Sequence, residues 1–173
     1  MNLQNLSEQI EDFAKDIRLN LQSVSTAEGT PGLTAEQRVG VTLSTAYSLG
    51  NQELIHAVIE EYSPSATMIE ASKASASIMA MNNIYYRFLH LSDHKEFSTM
   101  PAKLRMNVIG KPPIEKVTFE LMSLAISAIA GCGACVNSHI QEVKKGGISD
   151  EGIQSAIRIA SVMNATKTTL SIA

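Results

Sequence analysis

From Thr118 to Ala130 the chain reads T-F-E-L-M-S-L-A-I-S-A-I-A, a segment whose apolar residues leave no polar face. A helix that is apolar all round has to be enclosed by other elements, so this stretch is expected to be a core helix, and the rest of the chain to be organised around the stretch Glu120 to His139 that it leads into. The longest apolar run, Leu121 to Val136, is interrupted by serines and by Gly131 and Gly133. It falls short of the roughly 20 residues that a bilayer span needs. Burial inside the protein, with no membrane association, is the expectation.

A chain of 173 residues, 45% of them hydrophobic and 18% charged, can bury a sizeable core, and we read residues 1–173 as one domain. The net charge is −3 and the basic residues are scattered, which argues against a nucleic-acid surface. Met1 to Thr30 has neither the basic and apolar regions of a signal peptide nor a transmembrane run. A cytoplasmic location follows as the expectation.

Leu3, Leu6, Ile10, Phe13, Ile17 and Leu21 recur at spacings of three and four, with acidic and basic residues between them, which predicts one amphipathic helix. Ala27–Gly32 breaks it. Thr34 with Gln37 makes a capping box for a helix to about Leu49, Gln52 to Tyr62 reads as a short helix, and Ala66 to about Phe88 as a long one. Residues 90–113 lose the period and carry Pro101, Gly110, Pro112 and Pro113; they are read as a connection with a short helix at most. Ile114–Ala130, Cys132 to about Lys145, and Asp150 to about Ser171 complete the set, the middle one ended by Gly146-Gly147 and the last capped by Ser149. No alternation competes, so the fold class is all-α with about seven helices. A faint internal repeat, approximately 34–90 and 114–171, rests on A-S-I-M at 76–79 against A-S-V-M at 160–163 and on Gly50 and His56 standing roughly where Gly131 and His139 stand.

Both cysteines, Cys132 and Cys135, form a C-x-x-C pair, and His139 follows the second by four residues. On a helix advancing about 100° per residue, the three fall within roughly 60° of arc. Such a group has chemical use because the thiolate is the nucleophile, and a helix N-terminus or an imidazole favours it. The residues alone leave three readings of the pair: redox-active, half of a zinc site, or inert buried thiols. Structural zinc wants four ligands and only His139 stands nearby, so the redox reading is preferred. Glu120 is the only Asp, Glu, Lys or Arg between Lys116 and Glu142. A desolvated carboxylate is a candidate proton acceptor; the alternative is a side chain that reaches solvent or an unseen basic partner. His90 and His94 read as a solvated turn, His56 as a core or interface histidine, and Met79, Met81, Met100 and Met106 as core filling. Tyr85, Tyr86 and Phe88 with Arg87 are read as core packing, or else as a substrate or subunit surface.

The runs L-R-M-N-V-I at 104–109, F-E-L at 119–121 and S-A-I-A-G-C-G-A-C-V-N-S-H at 127–139 closely resemble the alkylhydroperoxidase D (AhpD) family of the carboxymuconolactone decarboxylase-like superfamily. The resemblance implies a duplicated all-helical fold assembled as a homotrimer. It implies a thiol peroxidase that reduces alkyl hydroperoxides and hydrogen peroxide without a bound cofactor. Dihydrolipoamide, or the lipoyl domain of a lipoylated 2-oxoacid dehydrogenase component, would be the electron donor, with an AhpC-like peroxiredoxin as a further partner. Carried over, Glu120 and His139 form a proton relay, with a water, that deprotonates Cys135. Cys135 attacks the peroxide and becomes a sulfenic acid, and Cys132 condenses with it to the disulfide. Family members often carry a histidine where this chain has Ala134, which bears on any auxiliary imidazole. Two rivals stand beside this reading: a dithiol–disulfide reductase that passes electrons to a peroxiredoxin, and a non-catalytic redox sensor.

Overall fold

The computed structural model describes Met1–Ala173. Its elements are α1 (Leu3–Glu8), a 3-10 turn (Asp12–Ala14), α2 (Lys15–Val24), α3 (Ala35–Leu49), α4 (Gln52–Tyr62), α5 (Ala66–Leu91), α6 (Glu96–Thr99), α7 (Asn107–Gly110), α8 (Lys116–Ala130), α9 (Gly133–Lys145) and α10 (Asp150–Ile172). The fold is all-α, and no helix is long and apolar enough to cross a membrane. Every residue from Thr118 to Ser127 of α8 is buried, and α3, α5, α9 and α10 all pack against this helix.

There are ten α-helices rather than about seven, and two regions account for the difference. The single N-terminal helix expected over residues 3–21 is broken after α1. Leu3, Leu6, Ile10 and Leu21 are all buried, whereas Phe13, in the same stripe, is 61% exposed. The Arg18 guanidinium holds the bend by donating to the Ile10 carbonyl at 2.6 Å and to Asp12 Oδ1 at 2.9 Å. With the bend, α1 packs on α4 while α2 packs on α10. Apolar spacing is the same on either side of such a bend, so periodicity alone joins the two helices. The 90–113 connection holds two single-turn helices, α6 and α7, where one at most was expected.

Several ends lie where the sequence puts them. Thr34 and Gln37 form a reciprocal capping box on α3, Ser65 caps α5, and Ser149 accepts from the Gly152 N–H on α10. The triplets α3–α5 and α8–α10 pack reciprocally, α3 against α10 and α8 against α5, with α3 and α8 in mutual contact. Both α3 and α8 stop at a left-handed glycine, Gly50 with φ 67° and Gly131 with φ 70°. Counted from the caps Asn51 and Cys132, the register of His139 in α9 is that of Val58 in α4. His56 is two residues away from that register and lies exposed on α4, so it is not a core histidine.

Candidate active site

The site is built on the turn between α8 and α9. Gly131 takes the left-handed conformation that a residue with a Cβ adopts only at a cost. Its N–H bonds the Ala128 carbonyl, and the Cys132 N–H bonds that of Ser127. The Arg87 side chain, reaching from α5, donates to the Ala130 carbonyl at 2.6 Å. With these last carbonyls of α8 satisfied, the chain reverses over Gly131 and Cys132 and α9 packs back along α8.

This reversal sets the roles of the two sulfurs apart. Cys132 is the N-cap of α9 and not, as expected, a member of its first turn; its Sγ accepts the Cys135 N–H at 3.3 Å. Cys132 is fully buried. Cys135 is 6% exposed, and it lines a cleft of about 440 Å³ that Cys132 does not line. A disulfide joins the pair.

Glu120 and His139 face each other across the α8–α9 hairpin, His139 Nδ1 lying 2.7 Å from Glu120 Oε2. Glu120 is 4% exposed, so it does not reach solvent, and its partner is the imidazole. With Nδ1–H donated to the carboxylate, Nε2 is the ring nitrogen left with a lone pair. Both side chains line the same cleft as Cys135. The four residues singled out from the sequence are therefore brought together, three of them on the cleft wall and Cys132 behind it.

The remaining walls come from further along and back in the chain. Asn82 and Tyr86 of α5, with Met106 and Ile109 from the 90–113 connection, supply one side of the cleft. Tyr86 donates its hydroxyl to Met106 Sδ at 3.8 Å, so Met106 is a cleft residue rather than core filling. Tyr85 and Phe88 face a separate apolar groove with Ala80, Met81, Ile84 and Leu104. Lys116 and Glu142 stand at the cleft as well. The Lys145 ammonium, bonded to Glu142 at 2.6 Å, holds that carboxyl below the usual carboxylate range. Ala134 also faces the cleft.

His90 and His94 are both exposed. His94 Nδ1 pairs with Glu96 at 3.0 Å. A Cβ added to Gly133 would lie 3.9 Å from His90 Nε2, so this imidazole borders the start of α9. No three His, Cys, Asp or Glu side chains converge to hold a metal. Asn82 was missed by sequence reasoning, although two adjacent asparagines, Asn82 and Asn83, inside a long helix were a signal: asparagine favours caps and turns over helix interiors.

Residues 95–172 match the Carboxymuconolactone decarboxylase family. The alkyl hydroperoxide reductase AhpD of Brucella anthropi is 44% identical over 100% of this chain and 98% of its own length. That of Rhodopseudomonas palustris is 47% identical over 94% of this chain and 90% of its own length, and that of Coxiella burnetii is 46% identical over 94% and 93%. Likeness of this degree over nearly whole chains, together with the site just described, has one conclusion: the chain belongs to the AhpD family.

Proposed function

We propose that the protein is a thiol peroxidase that reduces alkyl hydroperoxides and hydrogen peroxide through a dithiol/disulfide cycle, regenerated by dihydrolipoyl groups. The observation that carries this reading is the buried Glu120–His139 pair, 2.7 Å apart, on the wall of the cleft that Cys135 lines. In the reduced protein, His139 Nε2 takes the proton of Cys135 through a water, and Glu120 holds the ring in the tautomer that can do so. The Cys135 thiolate attacks the hydroxyl oxygen of the hydroperoxide. An S–O bond forms, the O–O bond breaks, and the departing alkoxide takes a proton to become the alcohol. The Cys132 thiol then displaces hydroxide from the Cys135 sulfenic acid, giving the disulfide and water.

Regeneration follows from the same geometry. A donor dithiol entering the cleft meets Cys135 first, so Cys132 is the leaving sulfur. Its position as N-cap of α9 favours the thiolate, and a better-stabilised thiolate leaves faster. On this reading the donor is dihydrolipoamide or a lipoylated 2-oxoacid dehydrogenase component, the location is cytoplasmic, and the assembly is a homotrimer. Support for assembly comes from the exposed Ile84, Phe88 and Leu91 along one side of α5, since neighbouring exposed apolar side chains mark interaction surfaces. The same reading takes α3–α5 and α8–α10 as two copies of one unit, supported by their matching glycine stops and reciprocal packing.

Ala134 favours a second reading, a reductase that passes electrons to a peroxiredoxin with little peroxidase activity of its own. Turnover with excess cumene hydroperoxide and dihydrolipoamide separates the readings. Sustained peroxide loss in the wild type, abolished when Cys132 and Cys135 are both replaced by Ser in a folded protein, is the expected result. Residual turnover in that double variant contradicts the proposal. Oxidation that stops after one equivalent identifies a sensor. Peroxide loss that requires an added peroxiredoxin identifies the reductase.

A further inference from the structure

Asn82 has features that packing does not explain. It lies inside α5, where asparagine is a poor helix former, and it is 5% exposed. Its neighbour Asn83 has a structural use, since Asn83 Oδ1 accepts from Ser127 Oγ at 2.8 Å. Asn82 Oδ1 is buried with no hydrogen-bond partner, as is Asn83 Nδ2, but no atom of the Asn82 side chain has a partner at all. Leaving such a group unpaired costs about 1–3 kcal/mol, and buried amides are ordinarily paired. Asn82 also lines the cleft, and its backbone carbonyl lies 4.0 Å from Cys135 Sγ. The residue thus stands at the cleft beside Cys135, with the amide oxygen turned inward and unpaired.

We propose that the Asn82 side-chain amide binds the hydroperoxide over Cys135. This inference rests on the peroxidase reading given above and adds a substrate-binding residue to it. The chemistries match: a hydroperoxide offers one O–H donor and two acceptor oxygens, and a carboxamide offers an acceptor and two donors. With the side chain rotated so that the unpaired Oδ1 meets the cleft, the amide takes the hydroperoxide O–H, which fixes the hydroxyl oxygen that the thiolate attacks. Through Nδ2–H it bonds the other oxygen, on which negative charge grows as the O–O bond breaks. A donor already held where charge develops carries a large effect. Tyr86, Met106 and Ile109, beside the amide, leave an apolar wall for the alkyl group. The proton and electron balance is that of the peroxidase step: sulfur is oxidised to the sulfenic acid, and the peroxide is reduced to the alcohol.

The test compares wild type with Asn82→Leu, which keeps the branching at Cγ but removes both polar atoms, and with Asn82→Ser, which is smaller and keeps a hydroxyl. Pre-reduced proteins are mixed with cumene hydroperoxide in a stopped-flow instrument, and in parallel with iodoacetamide across pH. Thermal unfolding is recorded for each. In Asn82→Leu the second-order rate with hydroperoxide is expected to fall about tenfold to a hundredfold. Its alkylation profile should move less than twofold and its melting temperature should not drop, while Asn82→Ser recovers part of the peroxide rate. The proposal is overturned if the peroxide rate of a folded variant stays within twofold of wild type. It is equally overturned if peroxide and alkylation rates fall in proportion, because Asn82 would then act on the thiolate and not on the peroxide. Should Asn82→Leu fail to fold, the same comparison on Asn82→Ser decides, an unchanged peroxide rate counting against the proposal. A wild type that does not react with hydroperoxide at all overturns the peroxidase reading itself, and this inference with it.

Discussion

At the scale of single residues, the site divides its labour by position on α9. Cys132 caps the helix and is closed to solvent, while Cys135, one turn in, meets the cleft beside His139. Replacing Glu120 with Gln keeps the size of the side chain and removes the charge that orients the imidazole. The alkylation profile of Cys135 is expected to move to higher pH and peroxide reduction to slow about tenfold to a hundredfold, with the helical circular dichroism spectrum unchanged. A profile identical to wild type contradicts the relay. These four residues were legible in the sequence because their spacing is local: the C-x-x-C pair and His139 share one helix, and Glu120 stands alone in an apolar run. Asn82, Tyr86 and Met106 were not, because they reach the cleft from α5 and from an aperiodic connection, and no spacing rule encodes that approach.

At the scale of elements, the helices with caps and glycine stops were legible to within a few residues, and the bend near Ile10 was not. Caps are local chemistry. The bend is fixed by tertiary packing of α1 on α4 and of α2 on α10, with Arg18 closing the turn. A second tie between these elements is the Tyr62 hydroxyl, which donates to the Ser25 carbonyl at 3.0 Å and joins the end of α4 to the end of α2. Burial is the main cause that raises the Tyr62 phenol above its ordinary value of 10.0. The folded chain therefore keeps this proton at a pH where the unfolded chain releases it. Its contribution is complete below about pH 10 and is lost as pH rises through the folded value. Tyr62→Phe is expected to cost about 1 kcal/mol near neutrality, measured by urea unfolding. The gap from wild type should narrow above pH 10; a gap that stays constant there contradicts the burial argument.

At the scale of the whole molecule, α8 is the enclosed centre that its lack of a polar face demands. The α5 side with Ile84, Phe88 and Leu91 is left open. If that face joins subunits, sedimentation equilibrium of the 18.6 kDa chain gives a trimer, and replacing Ile84 and Phe88 together by Glu gives folded monomers. A wild-type monomer contradicts that assembly. The cleft is also a property of the whole molecule, since α5, α8, α9 and the 90–113 connection all contribute to it. The most direct test of the account mixes the pre-reduced protein with one equivalent of cumene hydroperoxide and follows peroxide loss and intact mass, with Cys135→Ser alongside and dihydrolipoamide added afterwards. The account predicts peroxide loss with a decrease of two hydrogens in mass, no such reaction in Cys135→Ser, and a second round once dihydrolipoamide is supplied. Peroxide that persists beside the reduced wild type, or is consumed equally by Cys135→Ser, contradicts it.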